Sequence, residues 1–132
     1  MQVKIDTKEK FAVVTPIQPV LTANIAAEVG EIAYRQLSEP VKNIVLNLLN
    51  VLEMEASAAE SLSVLQQSFY EKSASFVICC LQKSVEDTFT QLGLLDVLNA
   101  TPTESEAWDI VQMEEIEREL LDGDDMLFDK ND

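Results

Sequence analysis

The sequence predicts an α/β fold: a single domain with a mixed sheet of four to five strands and about four helices, in the order ββαβαβαβα. Three observations carry this expectation. Two short segments at the start, joined by a polar turn, read as a hairpin. Two compact apolar runs, 44–49 and 76–81, have the length of buried strands rather than helices. After the hairpin, such runs alternate with segments whose apolar residues recur at helical spacing. That alternation implies a mixed sheet with helices packed over it.

Each element follows from its own residues. Val3 and Ile5 alternate with polar neighbours, as in a half-buried strand, and "TKEK" supplies the turn. The second strand spans 11–17, with Pro16 near its end pushing it toward an edge or a bulge. Residues 19–22 read as a loop. Ile25, Val29, Ile32 and Leu37 then mark a helix that Thr22 or Asn24 is suited to cap and that Pro40 ends. A strand at 44–49 precedes an amphipathic helix over about 57–72, carried by Ala58, Leu62, Leu65 and Phe69. The run "FVICCL" is the next strand. Val85, Phe89 and Leu92 give a short helix that stops near Gly93, and residues 95–99 are apolar enough for a last strand. Thr103 and Glu106 stand at capping-box spacing and open a final helix to about Leu121, with Gly123 as a plausible stop. The domain is expected to occupy 1–121, and 122–132 to form a disordered acidic tail too charged to pack.

Composition narrows the function. The chain has 132 residues and a net charge of −15. Residues 1–102 hold 7 basic and 12 acidic side chains, a net of −5, and residues 103–132 hold 2 and 12, a net of −10. Nucleic acid and anionic membrane surfaces are polyanions and are therefore poor partners. No apolar run approaches the ~18 residues of a membrane span, and no secretory signal is visible, so a cytoplasmic location is expected. Cys79 and Cys80 are adjacent in an apolar strand. Neighbouring strand residues point to opposite faces, which is poor geometry for a disulfide or a metal site. Two buried structural thiols in a reducing compartment are the expectation.

Enzymatic chemistry is largely missing. The chain has no histidine and three glycines, with no phosphate-binding or nucleophile-elbow motif and no zinc or calcium spacing. Glu53 and Glu55 at a strand exit read as solvated carboxylates rather than a general acid/base pair. The expectation is a non-enzyme that needs no cofactor or metal.

The strand, junction and helix of residues 43–69, followed by "SFVICCLQKSVEDTFTQLGLLDVL", resemble the STAS domain family: bacterial anti-sigma factor antagonists and the cytoplasmic tails of sulfate transporters. The resemblance covers about 1–112. It implies a regulatory binding module whose partner is a protein, an anti-sigma factor or a serine kinase-like regulator. Family members typically carry D-S/T-S-G at the junction before the second helix, and the first hydroxyl accepts phosphate from the partner kinase. An ungapped count back from Cys79 puts Glu55 at the aspartate, Ala56 at the phosphoacceptor, and Ser57 and Ala58 after it. Alanine accepts no phosphate. The partner-binding junction implied is Glu55, Ala56, Ser57, Ala58, Glu60 and Ser61, with Gln66 also on or near the outward face. Ser57 is expected to cap the helix; its alternative is a displaced phosphosite. A further alternative for the whole chain is an accessory subunit of a lipid-transport ABC system, where STAS proteins also occur. The C-terminal "EEIERELLDGDD", residues 114–125, reads as an acidic helix end, and "MLF" at 126–128 as an apolar triplet in the charged tail after it, the size of a short recognition element.

Overall fold

A computed structural model describes residues 3–98 and 100–121 with their side chains. The expected tail at 122–132 and the Gly123 stop lie outside the described residues. The elements run β1 (Val3–Thr7), β2 (Phe11–Pro16), β3 (Val20–Leu21), α1 (Ala23–Gln36), β4 (Asn43–Asn47), β5 (Glu53–Met54), α2 (Ala56–Glu71), β6 (Phe76–Cys79), α3 (Lys83–Gln91) and α4 (Glu104–Asn131).

The main sheet has the order β1-β2-β4-β6. β1 pairs antiparallel with β2, from Val3 opposite Pro16 to Thr7 opposite Ala12. β4 lies parallel to β2 on one side and to β6 on the other, with Ile44 opposite Phe76 and Leu46 opposite Ile78. The fold is thus the expected α/β arrangement, a mixed four-stranded sheet with four helices.

Alternation along the strands builds two cores, one on each face. Ala12, Val14, Ile44, Leu46, Phe76 and Ile78 face α1, α2 and α3 in the larger core, with Phe69 and Phe89 fully buried there. Phe11, Val13, Val45, Val77 and Cys79 face α4, which sets Ala107 and Val111 against them. Trp108 stacks on Phe11 with ring centroids 4.9 Å apart. The central strands are apolar on both faces, which is why 44–46 reads as a continuous apolar run, broken only at Asn47, rather than an alternating one.

Some expectations are corrected. The loop at 19–22 contains a two-residue strand, β3, which pairs parallel with β5 in a second small sheet. A pair this short leaves no periodic signal. The last strand expected at 95–99 is a turn through Leu98, whose N–H, like that of Val97, returns to the Leu94 carbonyl. Its apolar content is spent on Leu98, which is fully buried as a plug. Among the described residues of this stretch, Thr101 meets the sheet, through an isolated parallel bridge to Cys79. The two thiols do not point apart. Cys80 leaves the strand at φ 63°, in the left-handed region, and this turns its Sγ to 3.6 Å from that of Cys79. Both thiols are free, Cys79 buried and Cys80 only half-buried.

Candidate functional site

The junction between β5 and α2 is assembled by the small second sheet. The N–H groups of Leu52 and Glu53 donate to the Pro19 carbonyl at 2.7 and 3.0 Å, and that of Glu55 to the Leu21 carbonyl at 3.0 Å. These bonds lay β5 beside β3, so α1 and α2 start side by side. α1 is capped by its own Thr22, whose Oγ1 accepts from the Ile25 N–H at 3.3 Å.

α2 starts differently from the expectation. Its N-cap is Glu55, at φ −70° and ψ 146°, and not Ser57. The Glu55 side chain does not cap its own helix. It reaches across to the first turn of α1, where Oε1 accepts from the Ala23 N–H at 2.9 Å. A carboxylate at a helix N-terminus satisfies an orphan donor and is favoured by the helix dipole. One residue therefore holds the starts of both helices. Ser57 lies in the first turn, exposed, with no capping duty.

The described structure brings together most of the expected residues. Glu55, Ala56, Ser57, Glu60 and Ser61 are exposed on the start of α2, and the Ser61 hydroxyl donates to the Ser57 carbonyl at 3.0 Å. Two do not belong. Ala58 is fully buried in the larger core, and Gln66 is 9% exposed on the inner side. Helical geometry explains both: positions 58, 62, 65, 66 and 69 share the face that packs on the sheet.

The structure also adds two residues that the sequence reading did not assign to the site. Leu49 and Leu52 are 54% and 55% exposed, while Leu48 and Val51 between and beside them are fully buried. The loop that presents them is fixed. Asn47 Oδ1 accepts from the Leu49 N–H at 2.9 Å, Gln82 Nε2 donates to the Leu49 carbonyl at 2.8 Å, and the Val51 N–H donates to the Leu48 carbonyl at 3.0 Å. In a run of apolar residues, turn geometry alone decides which ones face water. Further along α2, an open apolar groove of about 240 Å³ runs between the helices, lined by residues that include Gly30 and Tyr34 of α1 and Ser61 and Val64 of α2.

The resulting surface is an acidic and small-residue helix start flanked by exposed leucines. Its side chains have no nucleophile–base pair, and among the described residues no cluster of three or more histidine, cysteine or carboxylate side chains is placed to hold a metal ion. Among the same residues, no helix is long and apolar enough to cross a membrane. An exposed apolar rim around a rigid helix start suits protein contact.

The sequence profile of the STAS domain family matches residues 2–107. The chain belongs to the STAS domain family. Solved structures agree in fold. A putative anti-sigma factor antagonist from Thermotoga maritima is 16% identical with a TM-score of 0.72, over 83% of this chain and 94% of that one. An anti-sigma-factor antagonist (STAS) domain protein from Planctomyces limnophilus is 12% identical with a TM-score of 0.70, over 83% and 97%. The anti-sigma factor antagonist SpoIIAA in its unphosphorylated form is 16% identical with a TM-score of 0.67, over 84% and 96%. No curated protein sequence matches this chain. In this STAS domain the first helical residue of α2 is Ala56, an exposed methyl group.

Proposed function

We propose that this STAS domain is a non-catalytic regulatory module that docks on a protein partner through the start of α2, in the manner of an anti-sigma factor antagonist, and binds without a phosphorylation switch. The observation that carries the reading is the exposed helix start with Ala56 at its first position, beside the exposed Leu49 and Leu52. The leucines supply apolar area, and Glu55, Glu60 and Ser61 supply polar specificity. The partner is an anti-sigma factor or a serine kinase-like regulator. A phosphate at position 56 would add about −1.5 to −2 charges next to Glu55, enough to repel a docked partner. Without a hydroxyl there, the module stays competent to bind.

The test is affinity capture from the native host, followed by binding measurements with the captured regulator. Leu52→Asp is expected to weaken binding at least tenfold, and ATP to leave it unchanged. Ala56→Ser is expected to be phosphorylated by that regulator and then released. A second reading rests on Ser57, which is exposed and free of capping duty. Stoichiometric phosphate on Ser57 of the unaltered protein would replace constitutive binding with a displaced switch. Capture of a transporter ATPase instead of a kinase-like regulator would favour an accessory subunit of a lipid-transport ABC system.

A further inference from the structure

α4 uses one side to cover the sheet, through Ala107, Trp108 and Val111. Its opposite side is not polar. Met113, Ile116 and Leu120 are 59%, 54% and 60% exposed. Their spacing of three and four residues aligns them in one stripe along the helix. A helix that packs by one face ordinarily carries polar residues on the other, so this stripe has no role in the fold. An open groove of about 270 Å³ runs beside it, lined by Lys10, Trp108, Gln112, Glu115, Ile116 and Glu119. Ile116 belongs to both, so stripe and groove form one continuous surface with an apolar floor and carboxylates at its edge.

Charge identifies the occupant. Between residues 104 and 121 α4 carries seven carboxylates and one guanidinium, a net of −6. A second copy would set one such helix against another, and the whole chains, at −15 each, would repel as well. A partner with basic flanks gains where a second copy loses.

We propose that the outer side of α4 is a docking surface for a basic amphipathic helix of another protein. Its apolar residues lie along Met113, Ile116 and Leu120. One of its side chains enters the groove over Trp108, and its lysines or arginines meet Glu117 and Glu119 at the two edges. This surface lies on the opposite side of the sheet from the start of α2, so it is separate from the docking site proposed above.

The full chain is titrated with two synthetic peptides of identical composition. One places leucine along a helical stripe with lysine on its flanks, and the other scrambles the same residues to abolish the stripe. Anisotropy at near-physiological salt is expected to show at least tenfold tighter binding of the striped peptide. The double substitution Ile116→Ser with Leu120→Ser is expected to remove that preference with the Tm unchanged, because both residues are exposed. Glu117→Lys with Glu119→Lys is expected to weaken binding and flatten its salt dependence. Leu52→Asp is expected to leave peptide binding intact, which separates failure here from failure at the start of α2. Equal binding of both peptides would reduce the effect to net charge and overturn the proposal, as would absence of binding. Concentration-dependent dimerisation abolished by the serine substitutions would overturn it in favour of a second copy.

Discussion

Among the described residues, two besides glycine hold a left-handed backbone, Ser73 at φ 59° and Cys80 at φ 63°. Ser73 follows α2 in a Schellman arrangement. The Ala74 N–H donates to the Phe69 carbonyl at 2.9 Å and the Ser73 N–H to the Tyr70 carbonyl at 3.1 Å. α3 ends the same way with Gly93 at φ 70°. Glycine lacks the Cβ that makes this conformation costly, so Ser73→Gly is expected to stabilise the protein by up to about 1 kcal/mol, seen as a higher Tm. Cys80 keeps its conformation because its N–H donates to the Thr101 carbonyl at 3.0 Å. Burial, reinforced by the Cys80 hydrogen bond, raises the Cys79 thiol well above the usual cysteine range. The protonated thiol is a poor nucleophile. Iodoacetamide at neutral pH is therefore expected to label Cys80 first and Cys79 only in denaturant, and peptide mapping by mass spectrometry reads the order directly.

Among the elements, β4 lies inside the sheet, between β2 and β6. Asn43 at its start is buried and joins four segments. Its Nδ2 donates to the Lys10 carbonyl at 3.1 Å and to Glu115 Oε1 at 2.7 Å, while Oδ1 accepts from the Ser75 N–H at 2.9 Å. Asn43→Ala leaves the buried Ser75 N–H without that acceptor, and the loss is expected to be about 1–3 kcal/mol, measurable by urea denaturation. The compact apolar strands and the periodic helices were legible in the sequence: the runs 44–49 and 76–81, which contain most of β4 and all of β6, and the apolar faces of α1, α2 and α3. What was not legible depends on contacts distant in sequence. β3 and β5 exist because Pro19 and Leu21 accept bonds from residues 52, 53 and 55. The cap of α2 is Glu55 rather than Ser57 because the chain enters the helix directly from β5. Apolar content drew 95–99 as a strand, yet Leu98 meets the same hydrophobic demand from a turn. At the candidate site, the acidic and small residues were visible, but the outward turn of Leu49 and Leu52 was not, since leucine carries no sign of which way a turn will face.

The whole molecule is a sheet with unequal covers. Three helices pack on one face, and among the described helices α4 is the one that covers Phe11, Val13, Val45 and Val77 on the other. Fully burying a valine or phenylalanine is worth about 1.5–3 kcal/mol, so that cover contributes much of the net stability of a domain this size. Deleting residues 104–132 is expected to expose the face, which would appear as dye binding to apolar surface and loss of solubility. Stopping the chain after Leu121 is expected to keep the Tm within about 2 °C, because Ala107, Trp108 and Val111, which cover the face among the described residues, are retained.

The bond from the Ala23 N–H to Glu55 Oε1 gives the molecule an internal reporter. Charge placed at the start of α2, whether a phosphate on an Ala56→Ser variant or a carboxylate from a bound protein, pushes on Glu55. The first turn of α1, 32 residues earlier in the chain, then loses or tightens its acceptor. The amide resonance of Ala23 should move whenever the neighbouring helix start is modified or occupied, although Ala23 touches neither phosphate nor partner. Glu55→Gln should mute that response and leave the Thr22 cap in place.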